Sequence, residues 1–421
     1  MKVLTVNVSD KSGGAARAAY RIHQAVQSLG INSFMLVKDK QSADKTVCAI
    51  SDFDNTNFLK EGFRFVQHKI QNKIQQYRWG QYPNREEVFL SDLRSTSIHG
   101  AFQKIDFDVL HLHWINLRFL DLKELTKIQK PIVWTLHDSW AFTGICHYFY
   151  DCERYKTSCG NCPFLHSGKE KDLSYEVWHK KQEYYKELDL HIVTPSQWLS
   201  KAASSSRLLS QFPVHTIPNP IDINLFVTGN QMKSREALQL QQDKKYILFG
   251  AMNATKDKNK GFDYLVKAIQ QIEQKYNYSD IELLVFGSDG VSTPIDTKIP
   301  ITYLGYIHSD TNMAKLYQSA DVMVVPSLSE NLSNAIMESL SCGTPVVGFD
   351  IGGNNDMIEH QQNGYLAQAL SVVDLADGIM WCLENNEMNE LGHHARKKVV
   401  ENFTMEKVGR QYVDLYERLM K

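Results

Sequence analysis

The sequence predicts an α/β protein made of two doubly wound domains, each with a parallel β-sheet covered by helices. In both halves of the chain, short apolar runs alternate with helical patterns, which is typical of βαβ units. Between the halves, HTIPNPID at residues 215–222 contains two prolines that exclude a helix and keep the chain extended. We therefore place the first domain at residues 1–215 and the second at residues 216–400, facing each other across a cleft of the kind that usually binds ligands.

Five strand candidates, separated by helical or polar segments, predict the first domain. The first strand leads into a glycine loop and then a helix at Ala15–Leu29, which ends at Gly30. The predicted strands are Lys2–Val8, Ser33–Val37, Val109–Leu112, Ile132–Leu136 and His191–Thr194.

The second domain repeats this alternation. Apolar residues at helical spacing predict helices over Phe262–Lys275, about Leu332–Ser341 and about Met405–Met420. The last of these lies in residues 401–421, which we expect to pack back toward the first domain. The predicted strands are Tyr246–Gly250, Ile281–Phe286, Asp321–Val325 and Pro345–Phe349.

Composition and charge exclude several classes of protein. The chain has 421 residues, of which 43% are hydrophobic and 22% charged, as in a globular protein with a sizeable core. Its 46 basic and 48 acidic residues give a net charge of −2, so no overall positive field would attract nucleic acid. No apolar run is long enough to span a membrane, and the start MKVLTVNVSDKSGGAA does not resemble a signal peptide. A cytoplasmic protein is therefore expected.

The clearest functional pattern is PSLSENLSNAIMESLSCGTPVVGFDIGGNNDMI, residues 326–358. Here Glu330 lies just before a predicted helix and Glu338 lies eight positions later, inside it. The start of a helix offers free N–H groups and a partial positive charge, which suit a diphosphate. A carboxylate can accept two hydrogen bonds from the vicinal diol of a sugar or a ribose. The pattern therefore predicts a nucleotide-sugar site between the two glutamates, with phosphates at the amides of Leu332, Ser333 and Asn334.

This segment resembles the Glu-x7-Glu signature of retaining, GT4-like glycosyltransferases of the GT-B fold, a group that includes colanic-acid and exopolysaccharide biosynthesis enzymes. The resemblance extends to PNPID, which is similar to the family's Pro-Asn-Gly-Ile-Asp, to KNKGFDYLVKAI and to LYQSADVMVVPS. Together these motifs run over nearly the whole second half of the chain. The resemblance implies the GT-B architecture of two Rossmann-like domains.

The resemblance also implies roles for residues in the second half. Glu330 would contact hydroxyl groups of the donor sugar, Glu338 the ribose, and Lys260 the diphosphate. Six residues before Lys260, where the family usually has an arginine, this chain has Ala254. The second phosphate ligand would then be Asn253 or Lys256, or the lysine two residues later.

In the first half, SGGAARAAYRIHQAV resembles the glycine loop of the same family. Gly13 and Gly14 would let the backbone approach the donor, although a tight turn between strand and helix would explain them equally well. His137, in VWTLHDSW, stands where the family has its active-site histidine, and would hydrogen-bond the donor sugar. His111 and His113 end the preceding strand, and we expect them to belong to the acceptor pocket or to the core.

The implied activity is transfer of a sugar from a nucleoside-diphosphate sugar to a hydroxyl of a saccharide, expected to be lipid-linked, in bacterial surface polysaccharide biosynthesis. Neither a protein nucleophile nor a catalytic metal cofactor is expected, because the leaving diphosphate would accept the proton of the acceptor hydroxyl. Two other functions stay open at this point. They are a nucleotide-sugar 2-epimerase of the same fold and a catalytically silent protein that binds sugar nucleotides.

Four of the seven cysteines lie close together in an insertion at about residues 144–165, which follows His137. They are Cys146, Cys152, Cys159 and Cys162. Cys159-x2-Cys162 has the spacing of half a zinc site, whereas the spacing of the other pair is looser. A structural zinc ion is the expectation; free thiols, disulfides and an iron–sulfur cluster are the alternatives.

Residues 60–82, KEGFRFVQHKIQNKIQQYRWGQY, combine basic and aromatic side chains. The basic residues are Lys60, Arg64, Lys69, Lys73 and Arg78, and the aromatic residues are Phe63, Phe65, Tyr77 and Trp79. A basic helix with aromatic residues can lie on an anionic membrane surface. The alternative is a helix whose aromatic residues face the core. A lipid-linked acceptor would favour contact with a membrane.

Overall fold

The computed structural model describes residues 1–53, 69–70, 73–74, 76–86, 98–276, 278–291, 295–386 and 389–421. The chain forms two compact units. The first unit comprises Met1–Pro195, Leu199–Ile217 and Tyr412–Lys421, and the second comprises Ser196–Trp198 and Pro218–Gln411. Within the described part of the chain, no helix has both the length and the apolar character that crossing a membrane requires.

The first unit is built on a parallel sheet of seven strands. These are β1 Lys2–Ser9, β2 Asn32–Asp39, β3 Val47–Ala49, β4 Val109–Leu112, β5 Ile132–Thr135, β6 Leu190–Thr194 and β7 Val214–Thr216, in the order β3-β2-β1-β4-β5-β6-β7. The helices are α1 Gly14–Ser28, α2 His99–Lys104, α3 Leu122–Leu125, α4 Leu173–Tyr185 and α5 Gln197–Ser205. All of β1 except its first residue is buried, as expected for a central strand with both faces covered.

The second unit has a parallel sheet of six strands. These are β8 Lys245–Gly250, β9 Ile281–Phe286, β10 Ile301–Tyr303, β11 Val322–Val325, β12 Val346–Phe349 and β13 Gly364–Ala367, in the order β10-β9-β8-β11-β12-β13. The helices are α6 Gln231–Ala237, α7 Phe262–Lys275, α8 Asp310–Ser319, α9 Asn334–Ser341, α10 Asn354–Met357, α11 Val372–Asn385, α12 Glu390–Asn402 and the start of α13 Met405–Leu419, which continues into the first unit from Tyr412 onward. Successive residues of β8 enter two different hydrophobic clusters, Leu248 one and Phe249 the other, because side chains of a strand alternate between its faces.

The strands that the sequence does not predict are β3, β7, β10 and β13. They are the edge strands of the two sheets, and each has only three or four residues. An edge strand contacts one neighbour and is partly exposed, so its sequence lacks the continuous apolar run that marks the central strands. By contrast, the predicted bounds of β4, β9 and α7 coincide with the observed ones.

The last residues of the chain pack into the first unit. In α13, the hydroxyl of Tyr416 lies 2.7 Å from Nδ1 of His111 in β4. One turn earlier, the hydroxyl of Tyr412 lies 3.1 Å from Oγ1 of Thr135 in β5. All four side chains are buried. Two central strands of the first sheet therefore depend on the end of the chain for hydrogen-bond partners.

Replacing Tyr416 by Phe should lower the free energy of unfolding by about 1–3 kcal/mol, because it leaves a buried nitrogen of His111 without a partner. Denaturation by urea, followed by circular dichroism, measures this change. Tyr77→Phe, at a tyrosine that is 74% exposed, is the control. Equal stability of the two variants would show that the bond contributes nothing.

Candidate active site

Two loops that carry predicted donor-binding residues meet in the second unit. In a doubly wound sheet, ligands bind beyond the carboxyl ends of the strands where the strand order reverses, and here it reverses between β8 and β11. Residues 251–261 follow β8 and include Lys260, and residues 326–333 follow β11 and include Glu330. The sequence pattern therefore falls at the place in the sheet where a ligand is expected.

Lys260 and Glu330 form an ion pair at this junction. Nζ of Lys260 lies 3.3 Å from Oε2 of Glu330, and the hydroxyl of Ser327 donates to the same oxygen at 3.3 Å. The two charged side chains are 23% and 15% exposed. Attraction between opposite charges at this distance holds both side chains at the junction and leaves part of each accessible.

A close approach at Gly261 fixes the position of Lys260. Gly261 has a φ of 71°, and a Cβ atom there would lie 1.9 Å from the carbonyl oxygen of Pro326, so only glycine fits. The preceding Asn259 donates from Nδ2 to the carbonyl of Ser329 at 2.8 Å. Lys260 lies between these two fixed residues.

The backbone of Glu330 is held from the other side by the glycine pair after β12. A Cβ atom at Gly352 would lie 1.9 Å from the carbonyl oxygen of Glu330. The same oxygen accepts a hydrogen bond of 3.1 Å from the N–H of Gly353. A side chain at Gly352 would therefore displace Glu330.

The helix after Glu330 begins two residues later than the sequence predicts. Its first residue is Asn334, because Ser333 is the N-cap and its hydroxyl accepts from the N–H of Ile336. Leu332 is 6% exposed and packs in the core of the second unit. The amide of Leu332 therefore precedes α9, and the predicted start at Leu332 is wrong.

Glu338 lies inside α9 and is only 3% exposed. The hydroxyl of Tyr317, in α8, donates to its Oε2 at 3.2 Å. Sequence reasoning did not identify Tyr317, because a contact between two helices leaves no local pattern. The bond fixes the orientation of the Glu338 carboxylate.

The loop after β8 shows why Ala254 can stand where the family usually has an arginine. Ala254 is fully buried in the hydrophobic core, so its side chain points away from the loop surface. Asn253 and Lys256 are both exposed. The hydroxyl of Tyr306 donates to Oδ1 of Asn253 at 3.1 Å. This contact occupies the oxygen of the amide and leaves Nδ2 as its donor.

In the first unit, Gly13 is the N-cap of α1, which begins at Gly14, and has a φ of 94°. A Cβ atom at Gly13 would meet nothing within 4 Å. Gly13 is therefore required for its backbone angle, and the space around it is open. The hydroxyl of Ser9 accepts from the N–H groups of Lys11 and Ser12 and shapes the loop.

Three histidines form a chain at the ends of β4 and β5. Nδ1 of His113 lies 3.0 Å from Nε2 of His137, and the rings of His111 and His113 are 4.2 Å apart. Burial lowers the pKa of His137 to about 4 and that of His111 to about 3, and it also places the pKa of His113 well below its usual value. All three imidazoles are therefore neutral at pH 7.

Beside this chain, the structure shows a pair that sequence reasoning missed, Asp138 and His147. Nδ1 of His147 lies 2.6 Å from Oδ2 of Asp138, and Nε1 of Trp114 donates to the same oxygen at 2.8 Å. Burial raises the pKa of Asp138, but His147 and the hydrogen bonds outweigh it and hold the pKa below its usual value. The sequence shows that Asp138 is adjacent to His137. It does not show that the insertion folds so that His147 contacts Asp138.

A buried lysine holds the loop that leads from β5 into the insertion. Nζ of Lys181, in α4, donates to the carbonyl oxygens of Trp140, Thr143 and Gly144. It also lies 3.6 Å from the centre of a Trp140 ring. Burial lowers the pKa of Lys181 to about 7. The loop after β5 is therefore anchored to a helix of the same unit.

The four clustered cysteines are free thiols, of which Cys152 is half-buried and the other three are buried. The thiols of Cys146 and Cys162 hydrogen-bond to each other, and the N–H of Gly144 donates to Sγ of Cys159 at 3.1 Å. Among the described residues, no group of three or more His, Cys, Asp or Glu side chains is arranged to hold a metal ion. The structure therefore does not support the predicted zinc site.

Comparison with known protein families agrees with the fold and with the motifs. The family model for Glycosyltransferase Family 4 matches residues 12–225, just over half of the chain. A second model, Glycosyl transferases group 1, matches residues 243–385. The chain belongs to glycosyltransferase family 4.

Two relatives of this family 4 glycosyltransferase match most or all of its length. It is 27% identical to an uncharacterized glycosyltransferase of Methanocaldococcus jannaschii over 340 residues. The matched residues cover 74% of this chain and 83% of that protein. It is 23% identical over 431 residues to the putative colanic acid biosynthesis glycosyl transferase WcaC of Escherichia coli, with full coverage of both. The structure of Anabaena HepE in complex with UDP-glucose has a TM-score of 0.64 at 18% identity, covering 99% of this chain and 100% of HepE.

These findings, together with the two parallel sheets, confirm the predicted GT-B fold and the resemblance to colanic-acid-type glycosyltransferases.

The buried histidines should make this family 4 glycosyltransferase sensitive to acid. Burial lowers the pKa of His23, like that of His137, to about 4, whereas histidine in an unfolded chain binds a proton near pH 6.5. Between these values the unfolded state binds more protons, so the free energy of unfolding should fall as the pH is lowered from about 6.5 to about 4. Each such histidine contributes a slope of up to about 1.4 kcal/mol per pH unit.

Urea denaturation at a series of pH values measures this slope. His23→Gln should make it shallower, since the variant removes one buried group that titrates. His394→Gln, on the surface of the second unit, is the matched control. A slope that is the same in His23→Gln and in the wild type would contradict the assignment.

Proposed function

We propose that this family 4 glycosyltransferase moves a sugar, with retention of the anomeric configuration, from a nucleoside-diphosphate sugar to a hydroxyl of a saccharide. The observation that carries the proposal is the junction of the β8 and β11 loops, where Lys260 and Glu330 meet at 3.3 Å shortly before α9 begins. A cation and a helix N-terminus suit the anionic diphosphate, and a carboxylate suits the hydroxyl groups of the sugar.

In the proposed complex, the diphosphate lies between Lys260 and the first N–H groups of α9. Lys260 then exchanges Glu330 for phosphate oxygens, and the released Glu330 accepts hydrogen bonds from the sugar. Glu338 holds the ribose, with its carboxylate oriented by Tyr317. Asn253, oriented by Tyr306, and Lys256 supply the second contact to phosphate, in place of an arginine.

The chemistry that we propose needs neither a protein nucleophile nor a catalytic metal. The bond between the sugar and the diphosphate breaks as the acceptor oxygen attacks from the same face, and a diphosphate oxygen takes the acceptor proton. Lys260 and the N–H groups of α9 stabilise the charge that develops on the leaving group. We assign His137 a hydrogen bond to the transferred sugar, which positions it for attack.

The product that we propose is a bacterial surface polysaccharide, on the strength of the likeness to WcaC over the whole chain. HepE is a structural neighbour that binds UDP-glucose, so UDP and UDP-sugars are the first ligands to test. A 2-epimerase would release an epimerised sugar without any acceptor, and a silent binding protein would bind a donor without turnover. Product analysis distinguishes both from transfer.

The two glutamates should respond differently to substitution. Glu338→Ala should weaken the binding of free UDP by about 1.5–3 kcal/mol, the scale of hydrogen bonds to a charged group. Glu330→Ala should leave UDP affinity equal or higher, because it frees Lys260 for the diphosphate, and it should lower turnover. Isothermal titration calorimetry with UDP measures both, and Glu384→Ala in α11, at an exposed glutamate, is the control. Identical UDP affinities for the two variants would refute this division of roles.

We further propose that the acceptor is lipid-linked and that the enzyme works at the inner face of the cytoplasmic membrane. Residues 69–70, 73–74 and 76–80 are helical. Among these helical residues, three exposed apolar side chains have the i, i+4, i+7 spacing of one helix face: Ile70, exposed by 54%, Ile74 by 44% and Tyr77 by 74%. Lys69 and Lys73 are exposed next to them. An apolar stripe flanked by lysines suits the surface of an anionic bilayer.

The structure refines the part of residues 60–82 that we assign to membrane contact. Arg78 forms an ion pair with Glu176 of α4, and Arg85 lies over the ring of Trp79 at 4.8 Å, so neither Arg78 nor Trp79 is a good probe of lipid binding. The other basic and aromatic residues of the prediction lie outside the described residues; these are Lys60, Phe63, Arg64 and Phe65.

Replacing Lys69 and Lys73 together by Gln should weaken binding to anionic vesicles by about 2 kcal/mol, roughly 30-fold, since each surface lysine contributes about 1 kcal/mol. Replacing Ile70 and Ile74 by Ser should weaken binding to anionic and neutral vesicles alike. Vesicle flotation at low and physiological salt measures both. The matched control is the Lys233→Gln, Lys244→Gln double variant in the second unit. Unchanged flotation of both helix variants would remove this helix as the docking element.

A further inference from the structure

A small cavity lies at the carboxyl ends of β4 and β5, beside His137 in the first unit. Its volume is about 10 Å³, which is room for one water-sized group. Two polar residues that line it, His113 and Asn116, are 2% and 4% exposed. Three tryptophans line it as well: Trp114, Trp134 and Trp140.

Both polar residues present an atom without a partner. Among the described residues, Nε2 of His113 and Oδ1 of Asn116 are buried and make no hydrogen bond. Nearly all buried polar atoms in folded proteins have a partner, so two residues of one cavity that each carry an unpartnered buried atom indicate a small polar ligand there.

We propose that this cavity binds one hydroxyl group of a saccharide substrate, between Nε2 of His113 and Oδ1 of Asn116. The proposal rests on the proposed glycosyl transfer and adds a determinant of which sugar is accepted. A water molecule has the same hydrogen-bonding chemistry and would occupy the cavity when no saccharide is bound.

The chemistry of the lining selects a hydroxyl group. Oδ1 of Asn116 can only accept, so the ligand must donate a hydrogen bond. His113 is a neutral imidazole that bonds through Nδ1 to His137, so its Nε2 needs either a donor or an acceptor. A hydroxyl group serves both atoms at once when it donates to Oδ1 of Asn116 and accepts from Nε2–H of His113, in which case Nδ1 of His113 accepts from Nε2–H of His137. A phosphate or carboxylate cannot donate to Asn116, and it would also be repelled by the nearby Asp138 carboxylate.

The walls of the cavity are held in place. Asp138 accepts from Nε1 of Trp114 at 2.8 Å and from the backbone N–H of Trp140 at 2.8 Å. Nε1 of Trp134 donates to the carbonyl of His113 at 2.9 Å. Fixed aromatic walls around one polar subsite match a sugar, which has apolar C–H faces and hydroxyl groups in set positions.

The floor and the rim of the cavity differ in exposure. His113 and Asn116 are buried, whereas Trp114, His137 and Asp138 are partly exposed. In the proposed complex, the hydroxyl group enters from the side of these partly exposed residues, and the rest of the sugar stays beside them.

The test combines two changes: removal of one hydroxyl group from the sugar, and removal of its proposed partner Asn116 from the protein. Methyl glucosides, galactosides and mannosides, each with its set of single-deoxy analogues, are titrated into the full-length protein, with binding followed by ligand-observed NMR. One methyl glycoside should bind the wild type at least tenfold more tightly than one of its deoxy analogues. Asn116→Leu should bind that glycoside and that analogue equally, because the partner of the hydroxyl group is gone. Asn312→Leu, at an exposed asparagine of the second unit, should bind like the wild type.

Three outcomes would overturn the proposal: no methyl glycoside binds, no deoxy analogue is discriminated, or Asn116→Leu discriminates as well as the wild type. A cavity that holds only a permanent water molecule would give the second outcome. If Asn116→Leu does not fold, the deoxy series on the wild type still decides. UDP affinity, measured in parallel by calorimetry, should be equal in all variants. Failure of the wild type to bind UDP would count against the proposed donor and leave the result for the cavity unaffected.

Discussion

The approach of Gly261 to the carbonyl of Pro326 is the contact on which the candidate donor site depends. No side chain fits between the two loops there, so the backbone after β8 lies directly against the backbone after β11. Lys260 is carried to Glu330 by this approach, and Gly352 fixes Glu330 from the opposite side. The backbone contacts therefore fix the points from which the lysine and the glutamate extend, and the ion pair between them orders the two side chains.

The parts of the fold that the sequence predicts are those with strong local patterns. Central strands are continuous apolar runs, and α7 has a clear apolar stripe, whereas the edge strands are short and partly exposed. Of the candidate site residues, Glu330 and Glu338 were predicted from their spacing and Lys260 from the family resemblance. Tyr317 was not predicted, because its partner Glu338 lies on another helix. Asn116 was not predicted either, because no sequence pattern shows that it is buried in the same cavity as His113. The start of α9 was misplaced because Ser333, the better N-cap, was read as part of the helix.

The two units stabilise polar side chains in different ways. The second unit places an ion pair at the carboxyl ends of its strands, partly open to solvent. The first unit buries neutral imidazoles in a chain, so the direction of each hydrogen bond there depends on which ring nitrogen carries the proton. Salt should therefore act mainly on the first kind of interaction, through screening, and proton concentration mainly on the second.

The first unit is not continuous in the chain, and this has a consequence for synthesis. Its last segment, Tyr412–Lys421, is translated after the whole of the second unit. Until this segment has been synthesised, His111 and Thr135 lack the tyrosine hydroxyls that they bond in the folded protein. Domains usually fold in the order in which they emerge. Here the segment that emerges first can complete its core only after α13 has emerged, so the nascent chain carries an unfinished first unit while the whole second unit is translated.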